Sequence, residues 1–168
     1  YKKEKDSKKL YADIMKYFVI VSSTIFLVVM INFDLFKHFI GTQFHDIRGF
    51  KIVAVLMLAN YFFGLYYNLS IWYKLTDKTR YGAYISIFGA AITISLNFML
   101  VPVIGIFGSA ITTLVCYVTM TIVSFYFSRS NYKVPYDLRS ISTYFILMIF
   151  IFMIIQFYNF CLLYTYPS

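Results

Sequence analysis

The side chains best placed to do chemistry in this sequence are amides, a phenol and a few cations, and none of them forms a catalytic set. Asn60, Gly64 and Asn68 recur at intervals of four, with the Tyr67 hydroxyl beside them, in a stretch that is otherwise apolar. Polar groups in such a setting are costly unless they find a partner or face water. Two readings stay open: the stripe lines a hydrated cavity and bonds hydroxyl groups of a ligand, or it bonds one helix to another. Lys74, Lys78 and Arg80 follow directly as a basic cluster. Asp34, Lys37 and His38 have spacings that allow local pairing, and read either as a surface ion pair or as an attraction for an anionic headgroup. His38, His45 and Asp46 lack the regular spacing of a structural zinc site, so no metal is expected. No Gly-rich phosphate loop, no Ser/His/Asp arrangement and no paired carboxylates within an apolar run are present, so neither an enzyme nor a cofactor is expected. Cys116 and Cys161 fall inside apolar runs and read as small packing residues.

These groups sit in a chain whose solvent must largely be lipid. Hydrophobic residues make up 61% of its 168 positions and charged residues 13%, too few to cover a water-soluble domain. The net charge of +8 does not indicate nucleic acid, because the basic residues occupy short clusters between apolar runs rather than one wettable face. A span needs about 20 apolar residues, and five stretches qualify, near residues 15–36, 52–73, 84–101, 106–127 and 141–164. The third and fourth share one uncharged run between Arg80 and Arg129, which must turn once, at Pro102 and Gly105. An all-α, polytopic transmembrane bundle of about five helices is the expected fold. The alternation of a β-barrel is absent. Residues 1–14 read as a Lys-rich cytoplasmic segment and 15–168 as the membrane region.

Small residues four apart mark helix contacts in lipid. Gly82, Ser86 and Ala90 form one row on the third helix, and Gly89, Thr93 and Asn97 its neighbour. Gly105, Ser109 and Thr113 form a row on the fourth, so a tight hairpin is expected. Tyr66, Tyr67, Trp72 and Tyr73 lie at the end of an apolar run, as rings at the headgroup level do. Orientation follows from the basic residues: Lys2, Lys3, Lys5, Lys8, Lys9, Lys16, Lys74, Lys78, Arg80, Arg129, Lys133 and Arg139 fall on one side, and Lys37, Arg48 and Lys51 on the other. The first side is expected to be cytoplasmic, with the N-terminal end inside. Its Lys-rich opening is either a solvated loop or a contact with anionic headgroups. Asn68-Leu-Ser70 matches a glycosylation sequon but falls within a helix. The chain opens without Met and without a cleavable signal, so a portion of a larger bundle is expected.

The run from Gly64 through Tyr66-Tyr67-Asn68-Leu69-Ser70 and Lys74-Leu75-Thr76-Asp77-Lys78-Thr79-Arg80 to Gly82 is followed by Asn97 with Pro102 five residues on. Gly105-Ile-Phe-Gly-Ser-Ala110 and the stretch 132–140 come next. Over about residues 10–155 this order and spacing resembles the C-terminal region of oligosaccharide flippases in the MATE-like polysaccharide transporter superfamily. The resemblance implies one lobe of a two-lobed transporter in the bacterial inner membrane. It implies as partners a polyprenyl-diphosphate-linked oligosaccharide, membrane lipid and the missing N-terminal lobe of the same protein. Its substrate, a diphosphate with several sugars, calls for a hydrated, cationic, hydroxyl-rich groove. Asn60, Tyr67, Asn68 and Asn97 are the candidates for that groove, and Lys74, Lys78 and Arg80 for first contact at the inner face. A cation-coupled exporter of the same superfamily and a glycan polymerase are the alternatives. The first needs an embedded carboxylate, and the second an acid, a base and a sizeable outer loop.

Overall fold

The structure, a computed structural model, describes residues 2–36, 47–131 and 134–165. Those residues are almost wholly helical and contain no strand. The helices are α1 (Lys2–Ile31), α2 (Phe33–Phe36), α3 (Ile47–Leu69), α4 (Ile71–Leu75), α5 (Arg80–Ile104), α6 (Ile106–Asn131) and α7 (Leu138–Thr165). Five spans are long and apolar enough to cross a membrane, with α3 and α4 contributing one span between them. A 25-residue helix such as α5 is about 37 Å long at 1.5 Å per residue, enough for a hydrocarbon core of roughly 30 Å. The protein is an all-α, multi-pass membrane protein.

The helix ends differ from the sequence expectation for identifiable reasons. Residues 2–14 are helical and continuous with the first span, because nothing in Lys2–Met15 breaks a helix and neither Gly nor Pro occurs there. At Ser70 a short irregularity separates α3 from α4. The span then stops at Asp77, whose φ of 54° lies in the left-handed region, while the Lys78 amide reaches back to the Tyr73 carbonyl at 2.9 Å. This is the Schellman closure, made here with Asp rather than the usual Gly. Pro102 does not end α5. It occupies the last turn, and the chain reverses at the single residue Gly105, with φ 60° and ψ −141°, a conformation closed to side chains with a Cβ.

The main packing runs as a series, α7 on α1, α1 on α3, α3 on α6 and α6 on α5, with Phe145 of α7 also against Tyr61 and Phe62 of α3. The central helix α3 therefore serves two cores. Tyr61, Leu65 and Leu69 join Met15, Val19, Phe26 and Met30 of α1 and Met148 of α7, whereas Tyr66 joins Ile85, Cys116 and Met120 on the α5–α6 side. The outermost members of the series, α5 and α7, bury little of themselves. Since lipid tails are as apolar as leucine, burial supplies no hydrophobic drive here, and close approach must hold the helices together. Gly64 provides it between α3 and α1, where a Cβ would run into the Phe18 ring. Gly89 provides it between α5 and α6, where a Cβ would lie 2.7 Å from Met120 Sδ, and so does Gly108, where a Cβ would lie 2.8 Å from the Leu100 carbonyl oxygen.

The hairpin is as expected in kind but not in its contact rows. On α6 the buried residues are Ala110 and a four-residue row of Gly108, Thr112, Cys116, Met120, Ser124 and Ser128, one residue away from Gly105, Ser109 and Thr113. On α5 the Gly89 row faces α6, while Ser86 and Ala90 of the other row are exposed. A second difference concerns the aromatic residues. Tyr66, Trp72 and Tyr73 are buried within the bundle, and of that group Tyr67 alone is exposed. Trp72 packs on Tyr81 at 5.4 Å and Tyr81 on Phe127 at 5.4 Å, so these rings join α4, α5 and α6 instead of forming a belt against lipid.

Candidate functional site

Asn60, Tyr67 and Lys74 follow one another at seven-residue intervals on the α3–α4 span and all three are exposed. Two turns of helix separate each from the next, so they form one stripe along the face that α1 and α6 leave uncovered. Leu56, also exposed, extends it. At its end the Lys74 ammonium lies 4.7 Å from the centre of the Tyr67 ring, a cation–π contact worth about 0.5–1 kcal/mol at an exposed position. Phe63 packs edge-on to Tyr67 at 5.9 Å and tilted against Tyr117 of α6 at 4.7 Å, which fixes the wall beside the stripe.

The amides reduce their own cost of exposure. Asn60 Nδ2 donates to the Leu56 carbonyl at 3.0 Å, and Asn68 Nδ2 donates to Gly64 at 3.0 Å. Thr93, Thr112, Thr113 and Thr119 bond their i−4 carbonyls in the same way. Each asparagine keeps its second N–H and its carbonyl oxygen for a further partner. Among the described residues neither amide bonds another helix, which was the other reading of the stripe. Bonds that cross between packed spans include Thr121 Oγ1 to the Phe62 carbonyl at 2.9 Å and Cys116 Sγ to the Gly89 carbonyl at 3.3 Å.

The seven residues singled out in the sequence therefore fall into groups. Asn60, Tyr67 and Lys74 share the stripe, and Asn68 is half-buried next to it, one turn from the Gly64 contact with α1. Asn97 stands apart on α5, with its Oδ1 buried and unpaired. Lys78 Nζ bonds Asn131 Oδ1 at 3.2 Å, tying the α4–α5 connection to the end of α6. Arg80 is exposed at the first position of α5. Lys37, His38, His45, Asp46, Lys133 and the side chain of Asp34 lie outside the described residues, and the side chain of Cys161 does too. Among the described residues no cluster of His, Cys, Asp or Glu could hold a metal.

No protein-family model, curated protein or solved structure matches this chain. Two cations of the basic clusters, Lys74 and Lys78, lie at one end of the bundle with Asn131, and Lys16 stands near enough to Asp137 to help lower its pKa. The early part of α1, the α4–α5 connection and the α6–α7 connection thus share one end. The sequence reading missed Ser124 and Ser128, two buried α6 hydroxyls without hydrogen-bond partners. Their signal was present as the continuation of the Gly108, Thr112, Cys116, Met120 row by two further four-residue steps.

Proposed function

We propose that this chain forms part of one lobe of a membrane transporter that moves a polyprenyl-diphosphate-linked oligosaccharide between leaflets of the bacterial inner membrane, for surface polysaccharide synthesis. The observation that carries the reading is the uncovered stripe of Asn60, Tyr67 and Lys74 on the central helix of the series. A polar, aromatic and cationic line on an apolar span needs water or a polar ligand beside it. Amide and phenol groups suit sugar hydroxyls, and an ammonium at the basic end suits a diphosphate. The order of residues 64–82 and 96–113, similar to the oligosaccharide flippases, supports the same reading. The basic end lies at the cytoplasmic face in this proposal, with the N-terminal end inside, following the distribution of Lys and Arg. A second lobe completes the cavity, and the chemistry involves no bond making.

The test is leaflet exchange. The intact protein in proteoliposomes, given a fluorescent polyprenyl-diphosphate oligosaccharide, is expected to move it faster than protein-free vesicles do, with no new glycosidic bonds in the product. Asn60→Ala and Tyr67→Ala are each expected to slow exchange by about threefold to tenfold, the scale of one lost hydrogen bond. Exchange no faster than in empty vesicles rejects the transport reading. Exchange with both variants at full rate rejects the stripe.

A further inference from the structure

A cavity of about 340 Å³ opens at the basic end, between the last turn of α6 and the segment 134–138 that leads into α7. Its wall has an apolar part, Phe125, Pro135 and Leu138, and a polar part, Ser128 and Arg129. Ser128 is 1% exposed and its hydroxyl has no hydrogen-bond partner. Ser128 lines the cavity, so its unpaired buried hydroxyl is an unused donor at the wall. The cavity's volume is an order of magnitude above the ~30 Å³ that one water occupies. No ion pair engages the Arg129 guanidinium among the described residues. The neighbouring carboxylate, Asp137, is not part of the wall and is turned to Ser140, which bonds it through both its backbone N–H and its hydroxyl.

We propose that this cavity binds a phosphate group, with Arg129 pairing to its oxygens and Ser128 donating a hydrogen bond. A guanidinium matches phosphate geometry in a way that an ammonium does not. The apolar wall beside the two polar groups favours phosphate carried on an acyl lipid. The depth agrees: Ser128 lies 22 residues along α6 from Ile106, about 33 Å at 1.5 Å per residue, which places it at the headgroup level opposite the Gly105 turn. Basic pockets at such a level suit anionic headgroups. The site is separate from the α3 stripe and does not depend on the transport reading, since a lipid can occupy it whether or not the protein moves a substrate.

Thermal unfolding of the purified full chain in detergent tests it, with dioleoyl phosphatidic acid, dioleoylglycerol and inorganic phosphate added separately. The first two differ only by the phosphate. Phosphatidic acid is expected to raise the unfolding midpoint and dioleoylglycerol to leave it unchanged. A midpoint raised by inorganic phosphate alone assigns the site to free anion rather than lipid, with the same two residues holding it. Arg129→Gln and Ser128→Ala are each expected to weaken phosphatidic acid binding about tenfold or more. Ser128→Ala removes an unpaired hydroxyl, so its ligand-free midpoint should equal or exceed the parent's, which separates lost binding from lost folding. Arg139→Gln, at the same end but outside the wall, should keep the full response. Equal responses to phosphatidic acid and dioleoylglycerol, with none to phosphate, overturn the proposal. Undiminished binding by both Arg129→Gln and Ser128→Ala overturns it as well.

Discussion

Asp137 shows how one exposed side chain starts a helix in this protein. It precedes α7 and accepts hydrogen bonds from Ser140 through that residue's hydroxyl and, at 3.1 Å, its backbone N–H. This is the N-cap arrangement that satisfies otherwise orphaned donors. The Ser140 hydroxyl, then the Ser140 N–H, with Lys16 contributing, hold the carboxyl below its ordinary pKa of 3.8. A carboxyl whose pKa is depressed by folding stabilises the fold above the ordinary carboxylate range, and that contribution disappears as pH falls through the folded pKa. Asp137→Asn, which can still cap, should therefore flatten the pH dependence of the unfolding midpoint below about pH 4, as circular dichroism melts at stepped pH would show. Gly64 is the other residue whose type is dictated by a single contact. In Gly64→Ala the new methyl meets Phe18, and overpacking of this kind costs about 1–3 kcal/mol. Phe18→Leu in the same chain should restore part of the loss, read as a double-mutant cycle of denaturant unfolding in detergent.

At the scale of elements, the α5–α6 hairpin depends on a one-residue reversal and two backbone approaches. Gly105 has nothing within 4 Å of its missing Cβ, so neighbours do not require glycine there; its φ of +60° with ψ of −141° does. Gly108 is the opposite case, an ordinary helical residue pressed against the Leu100 carbonyl. Gly105→Ala is expected to destabilise through backbone strain, by about 1–3 kcal/mol. Gly108→Leu should instead push α5 from α6, while Ser109→Leu, on the half-exposed neighbouring row, should be milder. Cross-linking between cysteines introduced at Gly89 and Met120 is the readout: it should survive Ser109→Leu and fail with Gly108→Leu. The α3–α4 span ends by a different device, the left-handed Asp77. Asp77→Gly should raise stability by up to about 1 kcal/mol, since glycine adopts that conformation without a Cβ penalty. Differential scanning in detergent would detect the shift.

For the whole molecule, the series α7–α1–α3–α6–α5 leaves α5 and α7, two long helices, at its ends. Such an array presents large apolar faces, suited to lipid along most of its perimeter and, in the proposed transporter, to a second lobe along the α3 stripe. Cysteines placed at Asn60 and Tyr67 are expected to react with a water-soluble maleimide in the intact protein in membranes. A cysteine at Phe98, 85% exposed on α5, should stay unlabelled because lipid covers it. Labelling of all three positions alike would place α5 in water and remove the distinction on which the stripe rests.

The division between sequence and tertiary structure follows the range of the forces involved. Helical spans, their number and the reversal at Gly105, though not the part assigned to Pro102, were legible because a backbone in hydrocarbon must satisfy its hydrogen bonds within the segment, so composition and length alone specify the element. The Gly89, Thr93, Asn97 row was legible too, since small residues at helical spacing mark close approach. The choice between that row and Gly82, Ser86, Ala90 was not, nor was the one-residue shift on α6 that buries Gly108 and Thr112 instead of Ser109 and Thr113. Both depend on the rotation of one helix against another, which in lipid is decided by the fit of side chains distant in sequence and leaves no periodic mark of its own. The burial of Trp72 and Tyr73 and the convergence of Ser128 and Arg129 with Leu138 likewise exist only once α4, α6 and α7 are packed.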